Sequence, residues 1–233
     1  MRLNKFLARC GLDSRRRCDD IIKNRKISVN GKIITDFSYQ VQEEDVILFN
    51  GKYLEIEHDS IVYILNKPKG YVCTSKDTHD RLKVVDLIDT DARLFTIGRL
   101  DRDTTGIILL TNDGDFSNRL AHPRYNKEKK YYVKSKGRID NNFLKKIKNG
   151  YRLKDGTKVK ADINLIRYSG NIFDWDIILK EGKNREIKRI FSEFDAKVTL
   201  IHRYFFCGFE LNALKPGKYR KISKQELRNK KIK

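Results

Sequence analysis

Apolar residues in this chain arrive in short runs, and most of the runs are closed by residues that turn the backbone. Runs of this length, rich in Ile and Val, read as strands. Two of the turns are Asn-Gly pairs, Asn30-Gly31 and Asn50-Gly51, each between short apolar segments. Asn-Gly suits the two-residue hairpin turn because both residues tolerate positive φ. Asp155-Gly156 is a further turn of this kind. Strands are expected near residues 46–49, 52–54, 61–65, 94–97, 107–110, 131–135, 163–167, 175–179 and 197–201. Strands outnumber helices, which predicts an α+β fold with a largely antiparallel mixed sheet.

The helices are few and have their own signals. Leu3, Phe6 and Leu7 recur at helical spacing before Gly11, a helix stop. Asp13 or Ser14 caps a second helix running to Lys23. Helices are also expected at 116–121, 142–148 and 185–194, and Ser223 with Glu226 forms a capping box for a last short one. Two helices and a small sheet account for residues 1–56. A polar linker follows at 57–61, and a larger domain fills 62–233, ending in a basic, frayed tail.

Charge narrows the partners. The chain has 51 Lys plus Arg against 31 Asp plus Glu, a formal charge of +20. This surplus points to a polyanion, nucleic acid before an anionic membrane, although a Lys-rich genome also raises the lysine count. No stretch approaches the roughly 20 apolar residues of a membrane span, and the start has no secretory pattern. Cys10, Cys18, Cys73 and Cys207 show no metal-ligand or disulfide spacing. The expectation is a soluble protein of a reducing compartment with no metal site.

Arg15, Arg16 and Arg17 fall in the first turn of the second helix, where unpaired backbone N–H groups also favour an anion. A solvated basic helix face is the plainer alternative. The whole segment, through Arg2-Leu3, Lys5-Phe6-Leu7-Ala8, Gly11, Ser14-Arg15-Arg16, Ile22 and Val29-Asn30-Gly31, resembles the RNA-binding domain typed by ribosomal protein S-four. The resemblance implies that this helix and the first hairpin face RNA. Asn24 departs from the family's glycine, and a positive φ is expected there.

The segment Gly98-Arg99-Leu100-Asp101-Arg102-Asp103-Thr104-Thr105-Gly106 lies between two expected strands, so it is a loop on a rigid support. A carboxylate between arginines stays ionised and can act as nucleophile or base. Asp101 and Asp103 could equally cap turns, or ligate a divalent metal together with Asp113 and Asp115, as in a nuclease.

This segment and Leu109-Leu110-Thr111-Asn112-Asp113-Gly114 are similar to the signature of ribosomal RNA pseudouridine synthases of the RsuA and RluB type. Agreement continues through Asn66-Lys67-Pro68-Lys69-Gly70, His122-Pro123, Lys129-Lys130-Tyr131-Tyr132-Val133 and the stretch from Glu181 to Arg189. Glu186 and Lys188 depart from the family's frequent Gln and Arg. The resemblance implies isomerisation of an rRNA uridine, in 23S rather than 16S rRNA, without a cofactor. It makes Asp101 the nucleophile, Tyr131 the residue that stacks on the extruded uracil, and Arg185 the partner of Asp101. Taken alone, Tyr131 reads as a core aromatic, and Arg185, Lys188 and Arg189 as a solvated stripe. The RNA-facing residues expected are Ser14, Arg15, Arg16, Arg17, Lys67, Lys69, Arg99, Lys183, Lys188 and Arg189. An RNA-binding protein without catalysis would need the arginine cluster but not Asp101, Tyr131 and Arg185 together.

Overall fold

The computed structural model describes residues 1–56, 59–75 and 77–230. Part of the expected linker, Glu57 and His58, and the last residues of the expected tail, 231–233, lie outside the described residues. The chain divides into two compact units. The first comprises Met1–Ile61 with Thr90–Arg93 and Asn112–Gly114; the second comprises the remainder.

The first unit opens with α1 (Leu3–Arg9) and α2 (Arg15–Lys23). Ser14 caps α2, its hydroxyl accepting the Arg17 N–H at 3.3 Å. Strands β1 (Ile27–Val29), β2 (Lys32–Ile33), β3 (Ile47–Phe49) and β4 (Lys52–Tyr53) form an antiparallel sheet in the order β2-β1-β3-β4. Both Asn-Gly turns have the expected backbone, with φ of 50° and 78° at Asn30-Gly31 and 47° and 80° at Asn50-Gly51. Leu3, Leu7, Cys18, Ile22, Ile27, Val29 and Ile47 make the core, so each helix face and the central strand pair contribute to it.

One local expectation is corrected. Asn24 has φ −77° and closes α2 as its C-cap, while Arg25 takes the left-handed conformation at φ 59°. The N–H of Arg25 bonds to the Ile22 carbonyl and that of Lys26 to Ile21. That paired pattern is the Schellman ending, and it places the positive φ one residue beyond the cap.

The second unit contains β5 (Val62–Lys67), β6 (Phe95–Ile97), β7 (Thr105–Thr111), α3 (Gly114–Ala121), β8 (Lys129–Lys136), α4 (Asn141–Asn149), β9 (Tyr151–Arg152) and β10 (Lys158–Val159). It continues with β11 (Ala161–Ser169), β12 (Ile172–Leu179), α5 (Glu186–Ser192), β13 (Lys197–Phe206), β14 (Phe209–Glu210), β15 (Tyr219–Lys221) and α6 (Lys224–Asn229). The main sheet runs β11-β12-β8-β13-β7-β5-β15, with β6 beside β7 and β14 beside β13; β9 and β10 pair separately. All of its pairings are antiparallel except β13 with β7, which run parallel through His202↔Thr105 and Arg203↔Gly106.

That parallel contact explains a glycine. A Cβ on Gly106, at φ 107°, would lie 2.1 Å from the Arg203 carbonyl oxygen. Only the missing side chain lets the two backbones close here. On the sheet, Trp175 is fully buried, donates to Ser135 Oγ at 2.9 Å, and meets the Phe191 ring of α5 edge-on. Ile187, Ile190 and Phe191 are the buried stripe of α5. The helix is shorter than the sequence suggests, because Arg185 sits before it in the left-handed region at φ 49°.

Candidate active site

The loop from Gly98 to Thr104, between β6 and β7, is anchored from below. Lys67, the last residue of β5, has no exposed surface, and its ammonium donates to the carbonyls of Pro68 at 3.2 Å, Arg102 at 3.3 Å and Thr104 at 2.7 Å. Three donors meet three carbonyls, so the buried charge is fully hydrogen-bonded. Burial draws its pKa below the ordinary lysine range, while the charges of Cys73, Asp103 and Asp101 oppose the shift. Gly70 N–H donates to the Arg102 carbonyl at 2.8 Å, and Leu100 N–H donates to Cys73 Sγ at 3.3 Å. The Lys67-Pro68-Lys69-Gly70 stretch is therefore the brace of the Asp101 loop. This corrects one expectation: Lys67 is enclosed by backbone carbonyls and presents nothing to a phosphate.

Asp101 lies at the edge of a cavity of about 170 Å³, its side chain 34% exposed. Lys188 Nζ is 3.5 Å from Asp101 Oδ2 and 2.6 Å from Asp103 Oδ2. Burial acts to raise the Asp103 carboxyl, but the Lys188 hydrogen bond and the Arg185 charge prevail and hold it below the usual range. Among the described residues it is Lys188, and not Arg185, that forms the ion pair with Asp101. The left-handed turn at Arg185 sets it outside α5, where it is exposed and lines the cavity rim. Arg189 does not line this cavity. Its Nε donates to Asp155 Oδ2 at 2.8 Å, and its guanidinium also meets Thr157 Oγ1, so it pins the β9–β10 turn.

The floor of the cavity is buried and polar. Tyr131 of β8 is 7% exposed. Desolvation raises its hydroxyl pKa, with the nearby Arg203 guanidinium opposing. Arg203 and Glu186 line the same cavity and are almost completely enclosed. Burial pushes the Glu186 carboxyl up to about 7, the Lys183 N–H counteracting and the Glu181 charge adding to the rise. Lys129, also lining the cavity, is held below its ordinary range mainly by burial. Arg203, Glu186 and Lys129 are residues that the sequence reasoning did not assign. Arg203 left one signal: a guanidinium two residues after Ile201 in an apolar strand, on the same buried face.

The other expected residues are dispersed. Arg15, Arg16 and Arg17 are exposed on the first turn of α2, and the Ser14 hydroxyl is engaged as its cap. Lys69 and Arg99 are exposed, and Arg99 lines the cavity. Lys183, at the rim, donates to Glu181 Oε1 at 2.7 Å. Among the described residues, no three His, Cys, Asp or Glu side chains are grouped as metal ligands, and no helix is long and apolar enough to cross a membrane.

An anchored carboxylate beside a cation, at a buried cavity floored by an aromatic, is the geometry of a candidate active site. The family model for RNA pseudouridylate synthase matches residues 61–193, and that for the S4 domain matches residues 1–47. The chain is 35% identical to ribosomal large subunit pseudouridine synthase B of Bacillus subtilis, over 97% of this chain and 94% of that protein. It is 32% identical to ribosomal small subunit pseudouridine synthase A of Escherichia coli, over 97% of this chain and 98% of that protein. A crystal structure of a pseudouridylate synthase superposes with a TM-score of 0.68 at 28% identity, covering 99% of each chain. The chain belongs to the RNA pseudouridylate synthase family, isomerases that act on RNA, and carries an S4 domain in front of the catalytic fold.

Proposed function

We propose that this protein converts a specific uridine of ribosomal RNA, in the 23S molecule, to pseudouridine, with Asp101 as the nucleophile. The observation that carries the proposal is the placement of Asp101: on a braced loop, about one-third exposed, at the mouth of a cavity whose floor holds Tyr131. The names of the relatives support a ribosomal RNA substrate. In this reading residues 1–56 are the RNA-binding domain, 57–61 the linker and 62–233 the catalytic domain, and the protein is a cytoplasmic monomer.

The chemistry follows from the residues. The target base leaves the RNA stack and enters the cavity, at a cost of a few kcal/mol that is least in unpaired RNA. Tyr131 supplies a flat surface against the base. Asp101 adds to the target nucleotide at the ribose anomeric carbon or on the uracil ring. The bond from N1 to the sugar breaks, the detached base turns, and its C5 bonds to the sugar as the bond to Asp101 breaks, while a proton leaves C5 and one is taken up at N1. Lys188 pairs with Asp101 and aims it. Arg185, Lys183, Arg99 and Lys69 meet phosphates around the cavity, while Arg15, Arg16 and Arg17 meet phosphates at the N-terminal domain.

The test is a carbodiimide and reverse-transcription map of rRNA from cells lacking the protein, complemented with the native chain or with Asp101→Asn. One stop is lost in the deletion and restored only by the native chain. Restoration by Asp101→Asn overturns the role of Asp101; a restored stop in 16S rRNA overturns the 23S assignment.

A further inference from the structure

Two buried polar atoms in the cavity lack a partner, and they are of opposite kind. Glu186 is 3% exposed; its Oε2 accepts the Lys183 N–H at 2.9 Å, and its Oε1 has no hydrogen-bond partner. Arg203 is 1% exposed; its Nε donates to the Ile107 carbonyl at 2.9 Å, its guanidinium lies 4.2 Å from the Phe206 ring centre, and its Nη2 has no partner. Both residues line the cavity that Asp101 and Tyr131 line. Each is held on a regular element, Glu186 as the first residue of α5 and Arg203 within β13 where that strand meets β7. Buried polar groups are ordinarily satisfied, and an unpaired acceptor and donor in one cavity mark a place that a ligand completes.

We infer that Glu186 Oε1 and Arg203 Nη2 read the edge of the extruded base, the carboxylate accepting from N3–H of uracil and the guanidinium donating to the adjacent ring carbonyl O4. The inference rests on the proposed function and adds what tells uracil from cytosine. At the same edge cytosine presents an unprotonated N3 and an amino group, so acceptor would face acceptor and donor would face donor. A site built around hydrogen bonds rejects the mismatched ligand by leaving its own buried groups unpaired. Lys129, Glu181 and Tyr131 also line the cavity, and among the described residues none of them holds a fully buried polar atom without a partner.

The test uses the full chain and a transcript of the rRNA segment containing the mapped uridine. Competitors are the same transcript with cytidine, or with 3-deazauridine, which lacks N3–H, at that position. The wild-type chain should prefer uridine over either by about tenfold or more. Glu186→Met, which fills the space without a polar atom, should reduce both preferences to within about twofold of none, and Glu186→Gln, which keeps an acceptor, should retain most of them. Equal affinity of the wild-type chain for uridine and 3-deazauridine overturns the inference without requiring any variant to fold. Full preference retained by a folded Glu186→Met overturns it as well. Pseudouridine formation on the uridine transcript is scored in parallel, so failure of base reading and failure of the proposed activity are seen separately.

Discussion

The Lys188 ammonium lies 3.5 Å from Asp101 Oδ2 while making its shorter contact, 2.6 Å, with Asp103 Oδ2. One cation thus holds two carboxylates of the same loop, and it reaches them from α5, a helix far along the chain.

Without that cation the two carboxylates lose their shared counter-charge and Asp101 loses its aim. Lys188→Met should lower the single-turnover rate of pseudouridine formation by about 100-fold, the order expected for removing one preorganised electrostatic contact. Lys188→Arg should restore most of the rate. Equal rates for Lys188→Met and the native chain would remove Lys188 from the mechanism.

Lys67 acts through the backbone. Lys67→Met leaves three carbonyls in a buried place without their donor, and should destabilise the protein by about 3 kcal/mol in urea unfolding, with the slope of unfolding unchanged. The salt dependence of RNA affinity should not change, since the ammonium is fully enclosed. A reduced salt slope in this variant would show Lys67 in contact with phosphate.

Glu186 sets a pH signature on stability. Its carboxyl is raised from 4.5 to about 7 in the folded chain, chiefly by burial. Between those values the native state binds more proton than the unfolded one, so stability falls as pH rises through this window and levels off above it. Glu186→Gln should flatten this part of a plot of Tm against pH. An unchanged slope would mean that another group causes the fall.

The arginine cluster is tested by salt. If Arg15, Arg16 and Arg17 each neutralise a phosphate, changing all three to Ala should reduce the slope of log affinity against log salt by about 2 to 3. All three side chains are exposed on α2, and the substitution leaves the buried face of that helix untouched. A parallel drop in affinity at every salt concentration, with no change of slope, would assign them a role other than phosphate binding.

Much of the fold was readable because its signals are local. Ser14 caps α2, Ser223 accepts the Glu226 N–H at 3.0 Å, and both Asn-Gly turns close hairpins, all from residues adjacent in the chain. Pairings such as β1 with β3, β15 with β5 and β13 with β7 join distant segments, and no periodicity encodes them. The site divides in the same way. The Asp101 loop stands out as a motif between two strands, whereas the burial of Lys67 depends on carbonyls of Arg102 and Thr104 far along the chain. Arg185 was expected within a continuous helix; its left-handed φ of 49° moves the helix start to Glu186 and leaves Lys188 to reach Asp101. Arg25 in place of Asn24 at the end of α2 is the same kind of shift, a one-residue displacement of a turn that composition alone does not register.

The parallel alignment of β7 with β13 bears on how the molecule comes into being. Antiparallel neighbours can zip from a hairpin, but a parallel neighbour must be brought in from a distance. Asp101 precedes the first of these strands and Lys188 precedes the second, so a chain emerging from the ribosome exposes the carboxylate long before its ion-pair partner exists. Only once β13 has been made can Arg203 close against Gly106 and can the helix before it bring Lys188 to Asp101. A copy that stops short of Lys188 carries the Asp101 loop without the cation that pairs with it.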